Sequence, residues 1–284
     1  MTTLSRRLDN LSEADLDFLV RAVTTTRTDY DRIKDIVRGK ADLLQLMVDD
    51  ERVFQRLAEC PEAVLQVSPY LLFTVLLRRA QRDLRARKFT MEVSSQGTFP
   101  VFDAEAAADL LEDDAVRDYL ALLLEGFTRI DRHTIELRNQ GRSEWVTYSD
   151  FTVEDLEALA AAMDETERFP IYRRLGDLCL FLTGMYADHL AARTRETAGR
   201  RGVRQRRQAR EDIETYEELG RTYYRRAAEA GTASDMGLTG LFERLADHFT
   251  LARKPLAIIA HSYIPLHRHH WFPAQTLGFR PPRG

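Results

Sequence analysis

The stretch Ser68–Lys88, SPYLLFTVLLRRAQRDLRARK, sets the reading of the whole chain. Ser68 can accept from the free amides of a helix start, and Pro69 stands where a helix needs no N–H to donate. Tyr70, Leu71, Leu72, Phe73, Val75, Leu76 and Leu77 are apolar on nearly every side, so the front of a helix over about 69–88 belongs in a core. Arg78, Arg79, Arg82, Arg85, Arg87 and Lys88 crowd its end, which is expected to be solvated. A helix that is apolar all round has to be covered by other elements, and the patterns on both sides of it are helical. The expected fold is mainly α, a multi-helix bundle of about ten helices with two small β-hairpins.

Upstream, Ser12/Asp15 and Thr28/Asp31 have capping-box spacing, and Gly39 can stop the second helix. Short helices are expected at about 41–48 and 51–59. Downstream the period changes. Phe89–Val93 and Thr98–Phe102 flank a turn containing Gly97, which predicts a hairpin near 89–102, and a second is expected near 134–148. The two share an echo, EVSSQG at 92–97 against ELRNQG at 136–141, which either marks a duplicated hairpin-helix unit or is chance. Asp103 and Asp113 can cap helices to about 111 and 127, and Thr152/Asp155 forms a third capping box. Longer helices follow at about 168–192, 211–230 and 237–263, with Pro255 expected to kink or divide the last. This organises the chain as an N-terminal helical region to 102, a hairpin-helix region over 103–165, a C-terminal bundle over 166–264 interrupted at 193–210, and an irregular tail at 265–284, all within reach of one shared core.

The 284 residues suffice for a core without disulfides or a structural metal. With 44% hydrophobic and 30% charged residues the composition is that of a globular protein, neither disordered nor membrane-embedded. The most apolar run, Leu175–Tyr186, is shorter than the roughly 20 residues of a bilayer span and contains Asp177, so no membrane partner is expected. Cys60 and Cys179 form no CxxC pair and the N-terminus leads into no signal-like apolar run, which points to a reduced, cytoplasmic protein. Four lysines stand against 37 arginines, a usage typical of GC-rich bacterial genomes.

Net charge is −4, but it is unevenly spread. Residues 193–210 carry eight arginines against Glu196, a net +7 that leaves −11 on the rest of the chain. Arg200, Arg201, Arg204, Arg206, Arg207 and Arg210 could meet an anionic partner, since guanidinium groups match phosphate and carboxylate geometry. The plainer alternative is a solvated linker lying on acids such as Glu211, Glu214 and Glu217. Arg78, Arg79, Arg82 and Arg85, placed before a hairpin, form a second candidate anionic-partner cluster in the order of a winged helix, although cations also suit a helix C-terminus.

Asp177 sits in LGDLCLFL on a helix that looks buried. Paired with His189 or His248, both in Ala-Asp-His triplets, it could orient a general base; paired with Arg173, Arg174 or Arg221 it would be structural, and the abundance of arginine favours that. Gly176 and Gly184 on the same helix would admit a close neighbour. His267, His269 and His270 are weak metal candidates without zinc-site spacing, and no cofactor is expected. No phosphate loop, GxGxxG, GxSxG or HExxH is present. The leading expectation is a non-enzymatic helical scaffold or regulatory protein binding a macromolecular, anionic partner or a second copy of itself. The alternatives are a DNA/RNA binder using both arginine clusters, and a small-molecule enzyme or sensor with a pocket near Asp177.

Overall fold

The computed structural model describes residues 8, 11–24, 28–94, 97–128, 132–139, 142–149, 152–192 and 212–263. The fold is mainly α. Helices α1 (Glu13–Val23), α2 (Tyr30–Val37), α3 (Ala41–Val48), α4 (Glu51–Glu59) and α5 (Pro61–Val64) precede the long α6 (Pro69–Ala86). Strands β1 (Thr90–Ser94) and β2 (Gly97–Val101) pair antiparallel, and α7 (Ala104–Leu110) and α8 (Asp114–Gly126) follow. Strands β3 (Arg132–Asn139) and β4 (Arg142–Ser149) make a separate two-stranded sheet. After α9 (Val153–Ala162) come α10 (Phe169–Met185) and a short helix α11 at 187–192. The last group is α12 (Ile213–Glu229), α13 (Gly231–Asp235), α14 (Thr239–Asp247), α15 (Phe249–Ile258) and a π turn, Ile259–Tyr263. No described helix is long and apolar enough to cross a membrane.

The capping box at α1 forms as expected and extends beyond its own helix. Ser12 Oγ and N donate to Asp15 Oδ2, while Asp15 Oδ1 accepts from the Ser68 amide at 2.7 Å, joining the start of α1 to the start of α6. Ser68 in turn accepts from the Leu71 amide. The other two boxes do not form: α2 starts after Asp29 without a side-chain cap bond, and Thr152 holds the N-cap of α9 without one. Asp103 holds the N-cap of α7, but its carboxylate is used elsewhere, as described below. Gly39, with φ +71°, follows α2 in the left-handed region that favours glycine.

Two further expectations are corrected. The helix expected at 168–192 breaks at Tyr186, and the one expected at 237–263 breaks at His248, leaving Pro255 inside α15. The rear of α6 is not simply solvated: Ala80 and Leu84 are fully buried and Arg78 is 7% exposed, and α4, α7, α8 and α15 pack along this helix. Buried residues from Leu8 to Tyr263 form one connected apolar cluster. At its centre α10 lies against α12 and α15. A Cβ at Gly176 would stand 2.7 Å from the Tyr224 ring, and one at Gly184 2.6 Å from Leu256 Cβ, so the small residues of α10 set both helix approaches.

Candidate functional site

Asp177 is 4% exposed and fully engaged. Tyr119 Oη donates to its Oδ1 at 2.5 Å, Tyr224 Oη donates to the same oxygen at 2.9 Å, and Arg173 Nε lies 3.6 Å from Oδ2. Burial and the neighbouring carboxylate raise both phenols well above their ordinary range, so they remain donors. The Tyr119, Phe242, Phe169, Tyr224 and Phe249 rings close around this centre at centroid distances of 5.5–6.4 Å. The histidines weighed as partners stand elsewhere. His189 follows the Tyr186 break and lies beside the Tyr186 ring, while His248 lines a surface hollow with Arg244 and Asp113. The arginine reading of Asp177 therefore holds, with two tyrosines that the sequence reading did not place there.

A cleft of about 700 Å³ opens at the other end of α10, between Thr183–Asp188, the segment Arg87–Val93 and residues Arg253–Ser262. Its floor is a chain of buried charges. Glu92 on β1 meets both Arg253 and Lys254 of α15. Lys254 Nζ also lies 2.9 Å from Asp103 Oδ2 and donates to Thr90 Oγ1 at 3.0 Å, and Thr90 donates to Asp103 Oδ1 at 2.7 Å. Arg253 Nε reaches Glu217 Oε1 at 2.6 Å, and Thr250 Oγ1 donates to Glu217 Oε2 at 3.0 Å. Glu217, expected as a surface acid, thus backs the floor through Arg253. Burial pushes the Lys254 ammonium down to about 8. The Glu92 and Asp103 carboxylates beside it nevertheless favour the ammonium form, which has no lone pair for attack, and it donates to Thr90.

The walls are apolar, from Met91, Val93, Ala187, Ala257 and Ile258, and the mouth is basic, from Arg87, Lys88 and His261. Pro255 withholds an N–H from its helix, and the π turn that follows presents His261 and Ser262 to the cleft. His261 Nε2 faces Asp188 Oδ2 at 2.7 Å and Nδ1 faces the Ala257 carbonyl at 2.7 Å. Both partners are acceptors, so the two contacts favour the doubly protonated ring. Burial opposes that charge, but the Asp188 and Ala257 bonds outweigh it and hold the pKa above 6.5.

The arginines closing α6 are occupied. Arg78 pairs with Asp49 at 2.5 Å, Arg79 with Glu51 and with Asp83 at 3.0 Å, Arg82 with the Asp49 carbonyl at 3.0 Å, and Arg85 with Glu112. They bind α6 to α3, α4 and the end of α7. The arm at 193–210, with Arg200, Arg201, Arg204, Arg206, Arg207 and Arg210, and the tail histidines His267, His269 and His270 lie outside the described residues. Among the described residues no group of three His, Cys, Asp or Glu could hold a metal ion.

The sequence reading missed the cleft because its charged residues are scattered; Arg253 and Glu92 are 161 positions apart. One signal was available. Arg253-Lys254 interrupts FTLARKPLAI, an otherwise apolar helix, and consecutive cations there require buried partners. No family model matches the chain, and neither a curated protein nor a solved structure is significantly similar to it.

Proposed function

We propose that the chain is a binding protein whose cleft takes a small amphipathic molecule, with an apolar body along Met91, Val93, Ala187, Ala257 and Ile258 and an anionic group at Arg87, Lys88 and His261. The observation that carries this reading is the cleft of about 700 Å³, a ligand-sized volume with apolar walls and a basic mouth. Its buried floor is charge-compensated, so the cations left for a ligand are those at the mouth. Binding is favoured over covalent chemistry because the Glu92 and Asp103 carboxylates favour the ammonium form of Lys254. The free thiols of Cys60 and Cys179 suit a reducing compartment such as the cytoplasm. The test uses anilinonaphthalene sulfonate as a fluorescent probe with the same chemistry. Saturable fluorescence displaced by decanoate, and much less by decanol, is the expected result; no displacement by either removes the reading.

A second reading keeps the arginine arm. With Arg78, Arg79, Arg82 and Arg85 consumed by internal carboxylates and carbonyls, the +7 segment at 193–210 is the basic cluster left to meet an anionic macromolecule, a nucleic acid or an acidic protein. Deleting it should leave the helical circular dichroism intact and abolish binding to a labelled oligonucleotide at ~50 mM salt, where screening is weak. Equal binding by the deleted form would discard this reading.

A further inference from the structure

The first hairpin is seated on the protein by charge and leaves apolar side chains in water. In its register Met91 stands opposite Pro100 and Val93 opposite Thr98, while Thr90 stands opposite Val101 and Glu92 opposite Phe99. Thr90 and Glu92 are buried against Lys254 and Arg253, while Phe99 on the same face is 48% exposed, so the contacts that seat this hairpin on the protein are polar ones. The other face has Val93 partly buried against the core at its far end, but Met91 and Pro100 on it, with Phe89 and Phe102 extending it, are all exposed. Phe102 is 80% exposed and its ring meets Phe89 edge-on at 6.1 Å, two aromatics packed on each other in water. A half-buried hairpin ordinarily does the reverse, with apolar residues inward and polar residues out. Inward charges hold this hairpin in place, which leaves its apolar face for another apolar medium.

Cations mark which medium. Arg87 and Lys88 directly precede Phe89. Lys88 makes no ion pair with any described residue, and the nearest carboxylate to Arg87 among them is Asp83 at 3.9 Å. Phe89 and Met91 also line the cleft, so the exposed face runs continuously into its mouth. Exposed aromatic and apolar side chains beside Lys88, unpaired among the described residues, and the weakly paired Arg87 match the interface of an anionic bilayer, where rings sit at headgroup depth and each basic residue is drawn to the surface potential.

We infer that the outer face of the first hairpin, Phe89, Met91, Pro100 and Phe102 with Arg87 and Lys88, docks on an anionic membrane surface. The expectation of no membrane partner rested on the lack of a spanning run, which does not bear on a surface-docked face. In this orientation the cleft mouth opens toward the lipid. The inference is separable from the ligand reading, since it needs only the exposed face.

Co-sedimentation of the full chain with vesicles tests it. Phosphatidylcholine vesicles with about one third phosphatidylglycerol should bind the protein, and pure phosphatidylcholine should bind it far less. Phe89→Ser/Phe102→Ser, which leaves the arginine arm untouched, should weaken binding by roughly tenfold or more with unchanged circular dichroism. A Phe102→Trp variant should show added fluorescence quenched by brominated lipid. Ala257→Trp, which fills the cleft and spares the face, should bind vesicles like the wild type, so failure of the ligand reading and failure of docking are told apart. Absent vesicle binding, equal binding by the double variant, unquenched fluorescence, or a wild-type dimer that the double variant dissolves without any vesicle binding would each overturn docking.

Discussion

Two buried polar centres lie along α10, and they differ in what surrounds them. Around Asp177 two phenols and Arg173 converge and aromatic rings pack about them; the acid joins α8, α10 and α12 and lines none of the cavities formed by the described residues. In the Glu92–Lys254 centre the side chains are also buried and held by ion pairs, yet they form the floor of a cleft with a cationic mouth. Burial of charge is common to both. The difference is the void, which makes the first a packing device and the second the base of a binding site.

The largest effect should come from breaking the floor. Lys254→Met leaves Glu92 and Asp103 without their shared cation and should cost about 3–5 kcal/mol in denaturant unfolding, with the first hairpin losing hydrogen-exchange protection first. An unchanged midpoint would show that the floor is not coupled to the fold. Breaking the sealed centre should cost somewhat less: Asp177→Ala strands two phenols and Arg173 and should destabilise by about 2–4 kcal/mol while leaving anilinonaphthalene sulfonate binding at the cleft intact. Loss of that binding in a folded Asp177→Ala protein would merge the two centres into one site.

Asp118 sharpens the contrast in the other direction. It is buried beside Tyr70 and its pKa is raised from 3.8 to about 6, chiefly by desolvation. The native state therefore holds this proton to higher pH than the unfolded chain, and the cost of ionising it appears as pH rises from about 4 to 6. Asp118→Asn should accordingly stabilise the protein at pH 7, by an amount on the order of 2 kcal/mol, and make no difference below about pH 4. Melting both proteins across that range checks the sign. The smallest stability effect belongs to the mouth: His261→Asn removes a half-exposed pair with Asp188 and should cost less than about 0.5 kcal/mol. Its influence on binding is larger, because decanoate stays ionised while wild-type affinity falls as pH rises through the raised pKa of His261, and that pH dependence should vanish in the variant.

What was legible in the sequence is what local chemistry writes. Ser12 and Asp15, Ser68-Pro69, Gly39 and the alternation around Gly97 are decided within a few residues, and the structure places helix starts, a stop and a turn at them. Thr28 and Thr152 have the same spacing without the bond, because spacing permits a cap and neighbouring geometry decides it. The cleft was least legible of all: Arg253-Lys254 in an apolar helix calls for buried partners, but Glu92, Asp103 and Glu217 look like ordinary surface charges until the fold brings them together.

The central claim is that the cleft, and not the Asp177 centre, receives a ligand. Calorimetric titration of decanoate into the wild type, Ala257→Trp and Tyr224→Phe tests it most directly. Binding at one site by the wild type and by Tyr224→Phe, and its loss in Ala257→Trp, is the predicted result; undiminished binding by Ala257→Trp would contradict the account.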